Sequence, residues 1–166
     1  MVTWLRARKR YKKIVGLGIC YSAYTFALAQ RHKRLFDALM CDSCWVSLAT
    51  IAQALARDPY LMIDPQFGSN WLVRALMGWW PCNLVLSRLI NWLVPDRSAL
   101  EPIGQVGIPV LFVHGQQDLL VPADLLVKEL DNRAFVYELV LLAGRHAINY
   151  KEPAYKRVCE GFIDRL

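Results

Sequence analysis

Apolar residues along this chain fall into short unbroken runs separated by amphipathic or polar stretches. Ile14 to Ile19 is one such run, of a length that suits a buried strand. Tyr21 to His32 is rich in Ala and Leu and poor in breakers, which predicts a helix. Arg31, Lys33 and Arg34 at its end suit the negative pole of the helix dipole. Leu35 to Cys41 predicts a second strand. Further on, Ile108 to Val113 reads IPVLFV, a pattern for a central parallel strand covered on both faces. Pro109 is tolerated near its start. Asp124 to Leu130 predicts a short helix and Phe135 to Leu142 another strand. Pro153, a favoured first helical residue, opens a last helix with Tyr155, Val158, Cys159, Phe162, Ile163 and Leu166 along one stripe. Thr3 to Tyr11 reads as the end of a basic, exposed helix.

The middle of the chain, Asp42 to Gly107, follows a different pattern. Ser47 to Ala56 predicts a helix with Leu48, Ile51, Ala52 and Leu55 on one face. Asp58-Pro59 and Asp64-Pro65 mark turns. Asn70 to Val94 is very apolar and holds Trp71, Trp79, Trp80 and Trp92. It is nearly long enough to span a bilayer. Arg74, Asn83, Ser87, Arg88 and Asn91 interrupt it, however, and Pro81 breaks it, so it predicts two helices that cover a pocket or lie on a membrane surface. The expected organisation is one α/β domain over residues 1–166, with a helical cap or lid insert at 43–107. Alternation of strand and helix argues for a parallel sheet of about four strands with helices on both faces.

Composition narrows the class. The chain has 166 residues, 55% of them hydrophobic, which excludes disorder and allows one domain with a core. The net charge of +6 is concentrated in Arg6 to Lys13 and Arg31 to Arg34, runs expected to be solvated helix faces. No recognition motif accompanies this charge, so nucleic acid is not an expected partner. Five cysteines form no disulfide framework. Cys41 and Cys44 make a lone C-x-x-C without the second pair or histidines that zinc requires. No metal cluster, nucleotide loop or cofactor signature is present, so no cofactor is expected. Reduced thiols in a cytoplasmic setting, with membrane-peripheral attachment as the alternative, are the expectation.

The stretch Lys12 to Arg34, KKIVGLGICYSAYTFALAQRHKR, admits two readings. A basic start, an apolar run and Ala-Leu-Ala fit a secretory signal. A strand, then Gly-x-Cys-x-Ser, then a helix fits an elbow that presents a nucleophile. The rest of the chain favours the elbow. In an open α/β sheet ligands bind beyond the carboxyl ends of the strands. Cys20 follows the first strand there, Asp118 the third and His146 the fourth. Nucleophile, acid, histidine is the chain order of the α/β-hydrolases. GICYSAY at Gly18 to Tyr24 resembles that family's nucleophile elbow. VLFVHGQQDLLVP at Val110 to Pro122 resembles the segment carrying its acid, and LLAGRHAINYKEP at Leu141 to Pro153 the segment carrying its histidine.

The resemblance implies a catalytic triad of Cys20, Asp118 and His146, with the backbone N–H of Tyr21 as an oxyanion donor. Cysteine in the serine position is similar to the dienelactone-hydrolase branch. Ser22 replaces the second glycine of the elbow and is the alternative nucleophile if the register slips by two. Asp42, just after the second strand, is the alternative acid and is expected to be structural.

Family members carry further strands before the elbow and a loop that supplies a second oxyanion donor. The expectation here is therefore a partial, truncated or split α/β-hydrolase domain whose first strand is an exposed apolar edge. Two functions follow from that expectation. One is hydrolysis of carboxylic esters or thioesters of small apolar acyl groups. The other is an inactive fragment that acts as a membrane-surface or protein-interaction module. Self-association, or pairing with a complementing N-terminal half, would cover the edge.

Overall fold

The computed structural model describes residues 2–7, 11–47 and 100–166, with single positions at 51, 54, 85, 88, 89, 92 and 98. Most of the expected cap insert, including the helices either side of Pro81 and the helix over Ser47 to Ala56, lies outside the described residues. Four parallel strands form one sheet in the order β1-β2-β3-β4: β1 Val15–Ile19, β2 Ala38–Asp42, β3 Val110–Gly115 and β4 Glu138–Leu142. The described helices are α1 Val2–Ala7, α2 Tyr21–Lys33, α3 Leu100–Gly104, α4 Ala123–Asp131 and α5 Pro153–Asp164. A 3₁₀ turn at Asn149–Lys151 precedes α5.

The central strands β2 and β3 are buried along their whole lengths, as their continuous apolar runs require. Alternate residues serve opposite faces. Leu39, Cys41, Val110 and Phe112 join Ala23 and Ala27 of α2, Ile103 of α3, and Leu126 and Leu130 of α4. On the other face Ala38, Met40, Leu111 and Val113 pack with Leu142 and with Phe162 of α5. Helices thus cover both faces. The stripe on α5 is the expected one except at its rim, where Ile163 is 47% exposed.

The strands begin later than the apolar runs do, for identifiable reasons. Phe36 is bonded through both backbone groups to the buried Gln30 side chain, and Leu35 gives its carbonyl to Arg6. Asp37 caps the Ile14 N–H with its carboxylate at 2.7 Å. Pairing in β2 therefore starts at Ala38 rather than Leu35. Before β4, the rings of Phe135 and Tyr137 turn onto Phe112, and pairing starts at Glu138.

Strand β1 pairs only with β2 and forms one edge of the sheet among the described residues. Leu17 and Ile19 on it are exposed, which is the apolar edge expected from the sequence. No described helix is long and apolar enough to cross a membrane.

Candidate active site

All four strands point their carboxyl ends the same way, and three loops meet there. The first is the turn between β1 and α2. Cys20 sits in it with φ 55° and ψ −119°, a conformation that a residue with a Cβ adopts only when its surroundings enforce it. Several contacts enforce it. The Cys20 N–H donates to the Asp42 carbonyl at 2.8 Å. Ser22 closes the turn from the other side: its Oγ accepts from the Ile19 N–H at 2.7 Å and donates to the Ile19 carbonyl at 2.6 Å. Gly18 allows the helix to approach, since a Cβ there would lie 2.4 Å from the Ala23 Cα. The segment Lys12 to Arg34 is thus strand, tight turn and helix. Ser22 is committed to the turn, and the side chain that faces the other two loops is Cys20.

The second loop follows β3. The buried Asp118 carboxylate accepts from the N–H groups of Leu120 and Val121 through Oδ1, at 3.0 and 2.9 Å. That leaves Oδ2 facing His146 Nδ1 at 2.8 Å. The third loop follows β4 and packs backbone to backbone on the second. A Cβ at Gly115 would lie 2.3 Å from the Gly144 carbonyl oxygen. The Gln117 N–H donates to that same oxygen at 3.1 Å. His146 projects from this loop, and its Nε2 lies 3.2 Å from Cys20 Sγ. Sulfur, imidazole and carboxylate therefore form one hydrogen-bonded line built from three separate loops.

The line sets the protonation of its members. Burial pushes the Cys20 thiol up, but the hydrogen bond and charge of His146, with the N–H groups of Trp45 and Tyr21, outweigh it and hold the pKa below its ordinary value. Burial pushes the His146 pKa down, and its bonds to Asp118 and Cys20 outweigh that and raise it to about 9. Both shifts favour the same form of the pair, a thiolate facing an imidazolium.

Asp42 has a different task. Its Oδ1 accepts from Asn149 Nδ2 at 2.6 Å and from Ser43 Oγ at 3.1 Å, and the carboxylate bonded to His146 is that of Asp118. Ser43 Oγ in turn accepts from the Ala147 N–H at 2.9 Å, next to His146 in sequence. This buried cluster ties the histidine loop to the end of β2. Ser43, Asn149 and Trp45 were not singled out by the sequence reading. Their contacts join residues 25 to 107 positions apart, so no local spacing announces them. His114 is buried within 3.5 Å of Asp118 Oδ2, but its Nε2 is bonded to the Val121 carbonyl and burial lowers its pKa, so it stays neutral.

Cys41 and Cys44 are buried free thiols. A hydrogen bond between their side chains, together with burial, pushes the Cys44 pKa up, which makes that thiol unreactive. No group of three or more metal-ligating side chains occurs among the described residues. A cavity of about 660 Å³ lies at the opposite end of the sheet, lined in part by Arg6, Arg31, Arg34 and Gln105, away from the three loops.

No family model matches the chain, and no curated protein matches it. Solved structures do. An esterase of Pyrococcus furiosus superposes with a TM-score of 0.66 at 17% identity, over 99% of this chain and 58% of its own. An acylaminoacyl peptidase of Pyrococcus horikoshii gives 0.58 at 18% identity, over 98% of this chain and 26% of its own. A puromycin hydrolase gives 0.55 at 16% identity, over 87% and 20%. The chain has part of the α/β-hydrolase fold, and these structural neighbours are hydrolases. It spans less than two thirds of the length of the esterase it matches.

Proposed function

We propose that this chain carries the reacting groups of an acyl hydrolase, with Cys20 as nucleophile, His146 as acid and base, and Asp118 as the group that orients the imidazole. One observation carries the reading: the line from Cys20 Sγ to His146 Nε2 at 3.2 Å and from His146 Nδ1 to Asp118 Oδ2 at 2.8 Å. Three residues from three loops have no common structural reason to align head to tail. Such a line is what nucleophilic catalysis needs.

The steps follow from the protonation states. The thiolate attacks the acyl carbonyl, an S–C bond forms, and the carbonyl π pair moves to oxygen. The Tyr21 N–H, at the first residue of α2 and directed at the sulfur, is the donor assigned to that oxyanion. Collapse breaks the bond to the leaving group, which takes the proton from His146 Nε2. Neutral His146 then accepts a proton from water, whose oxygen attacks the thioester. Collapse releases the acid and returns the sulfur as thiolate beside imidazolium. The substrate class is a carboxylic ester or thioester with a small apolar acyl group. The free thiols at Cys20, Cys41 and Cys44 suit a reducing compartment.

The exposed edge at β1 supports a second component of the proposal. Further strands, from a second copy or a separate polypeptide, would pair there and complete the sheet. Activity would then rise with protein concentration or with the added partner.

Labelling with an acyl-directed covalent probe followed by peptide mapping tests the reading, with His146→Ala as control. Labelling at Cys20 that the control abolishes is the expected result. Labelling at Ser22, or none from a folded monodisperse sample, would overturn the assignment for this chain.

A further inference from the structure

Beyond the aligned triad, one side chain touches the reacting sulfur with no structural need to do so. Trp45 Nε1 lies 2.8 Å from Cys20 Sγ, closer than His146 Nε2 at 3.2 Å. An indole N–H donates and cannot accept, so the sulfur is the acceptor of this bond. A neutral thiol is a weak acceptor, whereas a thiolate is a strong one. The position of the indole is over-determined. The ring packs on Tyr21 with centroids 5.0 Å apart, and Tyr21 is the residue that follows the nucleophile. The loop that carries it is anchored by Ser43, whose N–H donates to the Val113 carbonyl at 3.0 Å and whose hydroxyl joins the Asp42 and Asn149 cluster. Ser43 holds a positive φ of 49°, so the chain turns sharply just before Trp45. Trp45 is only partly buried, and burial of the ring does not by itself require its N–H to meet the sulfur.

We propose that Trp45 is a further catalytic residue of the site, its indole N–H holding Cys20 as a thiolate alongside the triad's imidazole. The inference rests on the assignment of Cys20 as nucleophile. In the resting protein the sulfur then accepts from three directions: His146 of the β4 loop, Trp45 of the β2 loop, and the Tyr21 N–H of α2. Among the described residues Cys44, on the β2 loop, is a further titratable group that interacts with it, and its raised pKa keeps it a neutral thiol. When the sulfur attacks a carbonyl its charge leaves and the bond from Trp45 weakens. Trp45 therefore raises the thiolate fraction and lowers the intrinsic reactivity of each thiolate, a trade that favours attack at low pH most.

The experiment compares native protein, Trp45→Phe and Trp45→His. The rate of Cys20 alkylation by iodoacetamide is followed against pH by peptide mass spectrometry, with thermal melting as the check on folding. A hydrogen bond to a charged group is worth about 1.5–3 kcal/mol, which is a shift of roughly one to two pH units. Trp45→Phe is expected to move the alkylation midpoint upward by that amount, and Trp45→His, which keeps a ring N–H, to move it less. A folded Trp45→Phe protein with the native midpoint would overturn the proposal. A second measurement needs no variant. Among the six tryptophan indole N–H resonances in a ¹H–¹⁵N spectrum of the native protein, one is expected to shift with the same pH midpoint as the alkylation. If none does, the proposal is refuted. Neither readout needs ester turnover. An inactive protein with both signatures would count against the hydrolase reading alone.

Discussion

A sharp structural demand at the nucleophile's turn is made by a missing methyl group. Replacing Gly18 by Ala would put a Cβ 2.4 Å from the Ala23 Cα, 2.5 Å from the Ala23 N and 2.8 Å from the Ser22 carbonyl carbon. These are backbone atoms, and no side-chain rotation relieves them. Carbon atoms rest at about 3.5–4.0 Å, so β1 and α2 must separate by about 1 Å at the turn. Overpacking of this kind costs about 1–3 kcal/mol, which for a chain of this size is a fall in melting temperature of roughly 2–12 °C. The turn is also where Cys20 is held at positive φ, so the same displacement moves the sulfur relative to His146. A misplacement of about 1 Å costs on the order of 10² in rate. Gly16→Ala is the matched control. Its Cβ meets Leu39 Cδ2 at 2.9 Å and the Phe36 ring at 3.1 Å, both side chains that can yield. The assay is differential scanning calorimetry with the rate of Cys20 labelling by the acyl probe. Gly18→Ala is expected to lose both stability and rate, and Gly16→Ala mostly stability. A Gly18→Ala protein with native melting and native labelling would refute the packing argument.

Further outcomes follow from the same contacts. Ser22→Ala removes two short hydrogen bonds to Ile19. It should lower stability by about 1–3 kcal/mol in denaturant melts while labelling stays at Cys20; a folded Ser22→Ala protein that takes no label would reverse the assignment. Asn149→Ala removes the 2.6 Å bond to Asp42 and the 3.1 Å bond to Ser43. It should cost about 1.5–3 kcal/mol and slow labelling, since the histidine loop keeps only the Ala147 bond to Ser43 as its tie to the end of β2, and a stable and fully reactive variant would contradict this. The rate of acylation against pH should be bell-shaped. It rises as Cys20 ionises, below the ordinary thiol pKa, and falls as the His146 imidazolium, raised to about 9, loses the proton it gives the leaving group. A profile that keeps rising through pH 9–10 as an ordinary thiol ionises would show that no ion pair forms.

Much of the fold was legible because it rests on local pattern. The apolar runs that became β2 and β3 are continuous since both faces of those strands are covered, and the α5 stripe is continuous since one face is. Cys20, Asp118 and His146 were legible as candidates because each lies in the segment that follows a strand, and a parallel sheet carries all such positions to one end. Strand starts were less legible. They depend on single side chains, Gln30 and Asp37, that take over backbone groups which would otherwise have joined the ladder. Trp45 was illegible for another reason. A tryptophan after a strand signals only apolar burial, and the direction of its N–H is set by a turn at Ser43 that no motif encodes.

The end of β2 has a mechanical consequence. The Asp42 carbonyl holds the Cys20 N–H, while the Asp42 carboxyl and the Ser43 hydroxyl hold Asn149 and Ala147 just after the histidine. Both partners are thus referenced to one rigid point rather than to each other across the sheet. When that strand end moves, sulfur and imidazole travel with it, and the motion cancels in the gap between them. The gap then depends on the play in these short tethers and in the bond from His146 to Asp118, and less on the distance from β1 to β4.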